Sequence, residues 1–98
     1  MKNIINAGIL GTGHAHAIGK LRTIQSSSEY KLVGVCEPND DLRKKRQNEE
    51  SFKRVNFMSK KDLLSDESIR IIAIEGEVKE NLDYGIDAVE AGKHIHLD

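Results

Sequence analysis

Short apolar runs alternate along the chain with segments whose apolar residues recur every three or four positions. Ile4 to Leu10 is apolar and β-branched and ends in glycines, which predicts a buried strand. From His14 to about Ser26, Ala17, Ile18, Leu21 and Ile24 fall at helical spacing, and Ser26-Ser27-Ser28 stops the helix. Tyr30 to Cys36, with Leu32, Val33 and Val35, is a second strand. Pro38-Asn39-Asp40-Asp41 then supplies a turn, an N-cap and first-turn carboxylates for a polar helix from Asp40 to about Ser51. Val55 to Met58 predicts a short strand. Ser59, with Asp62 three residues on, caps a helix that runs to about Leu64. Ile69 to Ile74 is a strongly apolar strand. Val78, Leu82, Ile86 and Val89 mark one face of a long helix, which Gly92 closes from the C′ position. Ile95 and Leu97 fall in a last strand.

Strands alternating with helices imply a parallel sheet covered on both faces. Uninterrupted apolar strands such as Ile71-Ile72-Ala73-Ile74 fit that burial. The expectation is an α/β fold: a single domain over residues 1–98, with five strands in a doubly wound parallel sheet whose order begins 3-2-1-4-5.

Composition narrows the function. Fifteen basic and 16 acidic side chains leave a net charge of -1, which gives no general attraction to nucleic acid. The basic run Arg43-Lys44-Lys45-Arg46, followed by Glu49 and Glu50, reads as a solvated helix face. One cysteine, Cys36, excludes an internal disulfide. No segment approaches the roughly 20 apolar residues of a membrane span. A cytoplasmic setting is expected.

The chemistry concentrates in Gly8 to Gly19, GILGTGHAHAIG. Gly11 can make a sharp strand-to-helix turn, and Gly13 lets a pyrophosphate approach the backbone. The N–H groups opening the next helix favour an anion at the same spot. Such a turn between a strand and a helix is the phosphate-binding corner of a Rossmann-like sheet. Glu37 ends the second strand, 24 residues after Gly13. Its carboxylate can accept from both ribose hydroxyls of an adenosine and would repel a 2′-phosphate, so NAD is favoured over NADP.

Ala91-Gly92-Lys93-His94, within GIDAVEAGKHIHLD, is similar to the Ala-Leu-Glu-Ala-Gly-Lys-His stretch of the Gfo/Idh/MocA oxidoreductases. GILGTGHAHAIGKL and LVGVCEPND resemble that family's first strand-turn-helix and second strand. The resemblance spans nearly the whole chain and implies the nucleotide-binding domain of an NAD(P)-dependent enzyme acting on a sugar, cyclitol or related polyol. It implies that Gly11, Thr12, Gly13, His14 and Ala15 surround the pyrophosphate, that Glu37 holds the adenosine ribose, and that Pro38 and Asn39 lie beside the adenine. The loop after Ile74, with Glu75, would follow the nicotinamide side. Asn81 stands where the family has a histidine, and Asp98 aligns with the first residue of its Glu-Lys-Pro motif. The lysine of that motif is not in these 98 residues. The expectation is therefore a domain that binds a dinucleotide without turning over substrate, with no catalytic residue of its own. His16 replaces the third glycine, and Gly76-Glu77 stands near the family's Thr-Pro.

Two other readings compete. One is a dinucleotide-binding module without chemistry. The other is a metal site built from His14, His16, His94 and His96. Residues two apart at a helix start do not face each other, which weighs against metal. The last strand presents an open edge, so self-association is expected.

Overall fold

The computed structural model describes residues 3–97. The chain runs β1 (Ile5–Leu10), α1 (Ala17–Ser26), β2 (Tyr30–Cys36), α2 (Asp40–Gln47), a 3-10 turn (Glu50–Phe52), α3 (Lys60–Ser65), β3 (Ile69–Ile74), α4 (Val78–Glu90) and β4 (His94–Leu97). The four strands form one parallel sheet in the order β2-β1-β3-β4.

The expected fifth strand is absent among the described residues: the sheet has four strands, not five. Residues 55–58 reach the predicted edge beside β2 but make one parallel bridge there, Val35 to Phe57. The Val35 N–H donates to the Asn56 carbonyl at 2.9 Å and the Met58 N–H donates to the Val35 carbonyl at 2.8 Å. Ser59 then caps α3 by accepting from the Asp62 N–H at 3.0 Å, so the chain turns away before a ladder can form. Met58 Sδ fills the space over Gly34 where a Cβ would sit.

Helices cover both faces of the sheet. Leu21 and Ile24 of α1, with Phe52, pack on Ala7, Ile9, Val35 and Ala73. Leu63 of α3 and Tyr84 and Ala88 of α4 pack on Leu10, Cys36, Ile72 and Ile74. Each fully buried aliphatic side chain contributes roughly 1.5–3 kcal/mol. Helix α1 opens at Ala17 rather than His14, because residues 14–16 form a tight turn in which the Ala17 N–H donates to the His14 carbonyl. Helix α2 stops at Gln47, and the 3-10 turn that follows drives Phe52 into the core.

The face expected to anchor α4 points outward. Val78, Leu82, Ile86 and Val89 are 82%, 72%, 46% and 56% exposed, whereas Asn81, Tyr84, Gly85 and Ala88 are buried. Closeness decides the rotation. A Cβ on Gly85 would sit 3.4 Å from Leu97 Cδ1 and 3.6 Å from Ile95 Cδ1, and one on Gly76 would sit 2.8 Å from the Tyr84 ring. A face of small residues around one aromatic ring lets the helix lie close to the sheet, while the branched stripe would hold it away.

The Ala91-Gly92-Lys93 stretch is structural. Gly92, at φ 80°, closes a Schellman cap in which the Lys93 N–H donates to the Ala88 carbonyl and the Gly92 N–H to the Val89 carbonyl. Lys93 is 9% exposed, and its Nζ donates to the carbonyls of Asp66 at 2.6 Å and Ile69 at 2.8 Å, pinning the start of β3. Lys93→Met removes both bonds, leaving the Asp66 carbonyl only the Ile69 N–H at 3.2 Å, and is expected to lower stability by about 2 kcal/mol in urea denaturation. An unchanged midpoint would remove Lys93 from the framework.

Candidate functional site

The carboxyl ends of β1, β2 and β3 meet at Gly11. Its φ is 87°, and a Cβ there would lie 2.6 Å from the Gly76 N and 2.7 Å from the Gly76 Cα, so the turns after β1 and β3 touch backbone to backbone. The Tyr84 ring packs under this contact, 3.1 Å from the same Cβ position. Hydrogen bonds tie the β1 turn to both neighbours: Gly11 N–H to the Cys36 carbonyl at 2.8 Å and His14 N–H to the Glu75 carbonyl at 2.9 Å.

Thr12 is held from two sides. Its N–H and its Oγ1–H both donate to Glu37 Oε1 at 2.7 Å, while Glu37 Oε2 accepts from the Asn39 N–H at 3.0 Å. Thr12 is fully buried and Glu37 is 3% exposed. On the other side, Arg46 Nη2 donates to the Thr12 carbonyl at 2.6 Å. Arg46 is itself held by Glu49 at 2.8 Å and lies over the Phe52 ring, its Cζ 5.8 Å from the centroid. Arg46 thus departs from the reading of the basic run as a solvated face. The signal was its place one turn after Leu42, the only apolar residue of α2, on the inward side of an otherwise polar helix.

Beyond this clamp the corner opens. Among the described residues, the Gly13 and Ala15 amides donate to no protein acceptor. Helix α1 has no side-chain cap and no acidic residue in its first turn, so its positive end is uncompensated. A Cβ on Gly13 would stand 3.0 Å from Glu77 Cγ. Glu77 therefore borders the corner, with its exposed carboxylate 3.7 Å from Lys79. A side-chain-free backbone, open amides and an uncapped helix fit a diphosphate, and the exposed carboxylate of Glu77 is the one group a diphosphate would have to displace.

The remaining expected positions divide into two sets. Pro38 and Asn39 lie exposed beside Glu37, and Asn39 caps α2 by accepting from the Leu42 N–H at 2.9 Å. A cavity of about 410 Å³ adjoins Glu37 and Pro38, bounded also by Cys36, Arg43, Phe57 and Ser59. Ile74 and Glu75 are fully buried, with the Glu75 N–H donating to the Leu10 carbonyl at 3.1 Å. Asn81 is 6% exposed, and its Oδ1 has no hydrogen-bond partner among the described residues and faces Gly76, 3.0 Å from a Cβ position there. Asp98 lies outside the described residues. The His14 and His16 rings meet edge to face at 4.7 Å, and the His16 N–H donates to His14 Nδ1 at 3.0 Å. Among the described residues, no three His, Cys, Asp or Glu side chains gather where they could hold a metal ion.

Burial, and then the neighbouring Glu37, push the Cys36 thiol up to about 11 from 9.0. Below that pH the thiol stays protonated, so alkylation at pH 8 is expected to run about a hundredfold slower than for a model thiol; a rate equal to that of the model thiol would contradict the burial. The Thr12 clamp is tested by a double-mutant cycle. Thr12→Val costs about 1 kcal/mol and Glu37→Ala about 2–3 kcal/mol, with a coupling of at least about 1 kcal/mol. Additive effects would show that the two side chains act independently.

Residues 5–98 match the family described as an oxidoreductase family with an NAD-binding Rossmann fold, GFO_IDH_MocA. A comparison with curated protein sequences finds no match. Solved structures do match. A protein from Erwinia carotovora atroseptica assigned as an oxidoreductase is 26% identical, with a TM-score of 0.76 over 95% of this chain and 27% of that one. Biliverdin reductase from Synechocystis sp., in complex with biliverdin and NADP+, is 22% identical, with a TM-score of 0.74 over 95% of this chain and 28% of that one. A 3-ketoreductase from Actinomadura kijaniata, in complex with TDP-benzene and NADP, is 18% identical, with a TM-score of 0.76 over 97% of this chain and 29% of that one. The chain spans less than a third of each of these proteins. No described helix is long and apolar enough to cross a membrane. With the glycine corner, the strand order and this match over nearly its whole length, the chain belongs to the Gfo/Idh/MocA family of NAD(P)-dependent oxidoreductases and is a Rossmann domain of the NAD-binding kind.

Proposed function

We propose that this domain binds NAD across the carboxyl ends of β2, β1 and β3. The pyrophosphate lies on Gly11, Thr12, Gly13, His14 and Ala15, and the adenosine ribose on Glu37. The adenine lies beside Pro38 and Asn39, and the nicotinamide half runs toward Ile74, Glu75, Asn81 and Asp98. The observation that carries this reading is the rigid corner. Glu37 and Arg46 fix Thr12 from opposite sides, and the open Gly13 and Ala15 amides follow directly. A corner set before the ligand arrives does not lose backbone entropy on binding.

Glu37 also supports NAD over NADP. Three donors occupy its carboxylate, leaving acceptor capacity on Oε2 for one ribose hydroxyl. A 2′-phosphate would bring a second anion against this buried one, where the charges are poorly screened. The biliverdin reductase and 3-ketoreductase structures that this chain resembles hold NADP. A bound nicotinamide supplies hydride transfer. In a longer protein of this family we assign the hydride's partner to a sugar, cyclitol or related polyol, on the resemblance of Ala91-Gly92-Lys93-His94 and the glycine corner to the Gfo/Idh/MocA family. The domain over residues 1–98 then contributes cofactor binding rather than an acid or base.

Calorimetric titration tests the reading. NAD binds, NADP binds at least about tenfold more weakly, and Gly13→Val abolishes binding by filling the corner. Glu77→Ser keeps a helix-capping residue and removes the carboxylate beside Gly13. It is expected to tighten NAD about threefold, and more at low salt than at high salt. Absence of heat with every nucleotide, or tighter binding of NADP, would overturn the proposal.

A further inference from the structure

Arg46 brings a positive charge to the glycine corner. It sits near the end of α2, with its side chain 14% exposed. Nη2 donates to the Thr12 carbonyl at 2.6 Å, and Nη1 donates to both carboxylate oxygens of Glu49, at 2.8 and 3.3 Å. The buried Nε has no hydrogen-bond partner among the described residues. A guanidinium withdrawn this far from water, with one N–H unmatched, gives the fold less than an apolar side chain seated on Phe52 would. Packing therefore does not account for the charge.

The carbonyl that Arg46 holds belongs to the same peptide group as the Gly13 N–H. That group is planar and trans, so its oxygen and hydrogen point in opposite directions. Arg46 draws the oxygen toward α2, and the Gly13 hydrogen points away from it, meeting no protein acceptor among the described residues. A cation on the oxygen also polarises the peptide and makes its N–H a stronger donor. The preceding peptide is used differently, since its Thr12 N–H is taken up by Glu37.

We propose that Arg46 and Glu49 are a tuning pair that sets how tightly the corner holds a diphosphate. The proposal rests on the nucleotide reading above and adds a source for its anion affinity. Arg46 acts from behind the peptide rather than on the ligand, so it is a positioning residue that passes its charge forward through the Gly13 N–H. Glu49 draws off part of that charge. It is 31% exposed and accepts from Nη1, so its charge can be removed without releasing the Thr12 carbonyl. The corner has use for such a cation. Glu37 and Glu77 both place carboxylates beside it, and a diphosphate adds further negative charge.

Calorimetry with ADP-ribose, and NMR titration with adenosine, which has no phosphate, test this. Arg46→Met is expected to weaken ADP-ribose about tenfold and to leave adenosine unchanged, and Arg46→Lys to recover part of the loss. Glu49→Gln keeps an oxygen for Nη1 and is expected to tighten ADP-ribose about threefold, with less gain at high salt. Before any ligand is added, the Gly13 ¹⁵N resonance moves upfield in Arg46→Met, because the Thr12 carbonyl has lost its donor. A chain that takes up no ADP-ribose at all overturns the nucleotide reading and this proposal with it. Three results overturn this proposal alone: equal weakening of both ligands by Arg46→Met, a Glu49→Gln variant that binds like the parent, or an unmoved Gly13 resonance.

Discussion

A buried carboxylate at the end of one strand organises the turn at the end of the next. Glu37 takes two hydrogen bonds from Thr12 and one from Asn39. A buried carboxylate is tolerable only when donors surround it, and the donors here belong to the segments that must be fixed. Glu37 therefore sets the path of the glycine turn before it meets any ligand. Arg46 completes the clamp from the far side by binding the Thr12 carbonyl. The peptide group of Thr12 has no freedom left, and the Gly13 amide inherits its direction.

The β3 side of the crevice is set by close contact instead of charge. Gly11 and Gly76 approach backbone to backbone, with the Tyr84 ring filling the space beneath them. Burial and then Glu80 raise the Tyr84 hydroxyl, which stays protonated and packs as a neutral group. This contact also explains the rotation of α4. The helix must bring Tyr84 and the small residues Gly85 and Ala88 to the sheet, and its branched residues are turned outward as a result. One constraint at the glycine corner thus accounts for the apolar stripe on the opposite flank.

Much of this was legible in the chain. The apolar runs at Ile5–Leu10, Tyr30–Cys36 and Ile69–Ile74 give the parallel sheet, and the caps at Ser59 and Gly92 act where their residue types say they should. Three features were not legible, each for a physical reason. Residues 55–58 have a strand-like composition, but an adjoining helix cap takes the chain away after a single bridge. The stripe of α4 has helical period, yet periodicity cannot say which side lies closer to the sheet when the other side is small. Arg46 looks like one charge among four, and only the distance to the Thr12 carbonyl separates it from its neighbours. The glycine corner and Glu37 were readable as a pair from position, whereas their direct bond through Thr12 was not.

The central claim is that the corner is assembled in advance and meets the ligand with the amides of Gly13 and Ala15. Titration of the ¹⁵N-labelled chain with ADP-ribose, followed by two-dimensional NMR, addresses it most directly. The account predicts large shifts at Gly13, Ala15 and Asn39. It also predicts a Thr12 amide that is protected from exchange both before and after binding. Shifts confined to other surfaces, or a Thr12 amide protected only once the ligand is present, would contradict it.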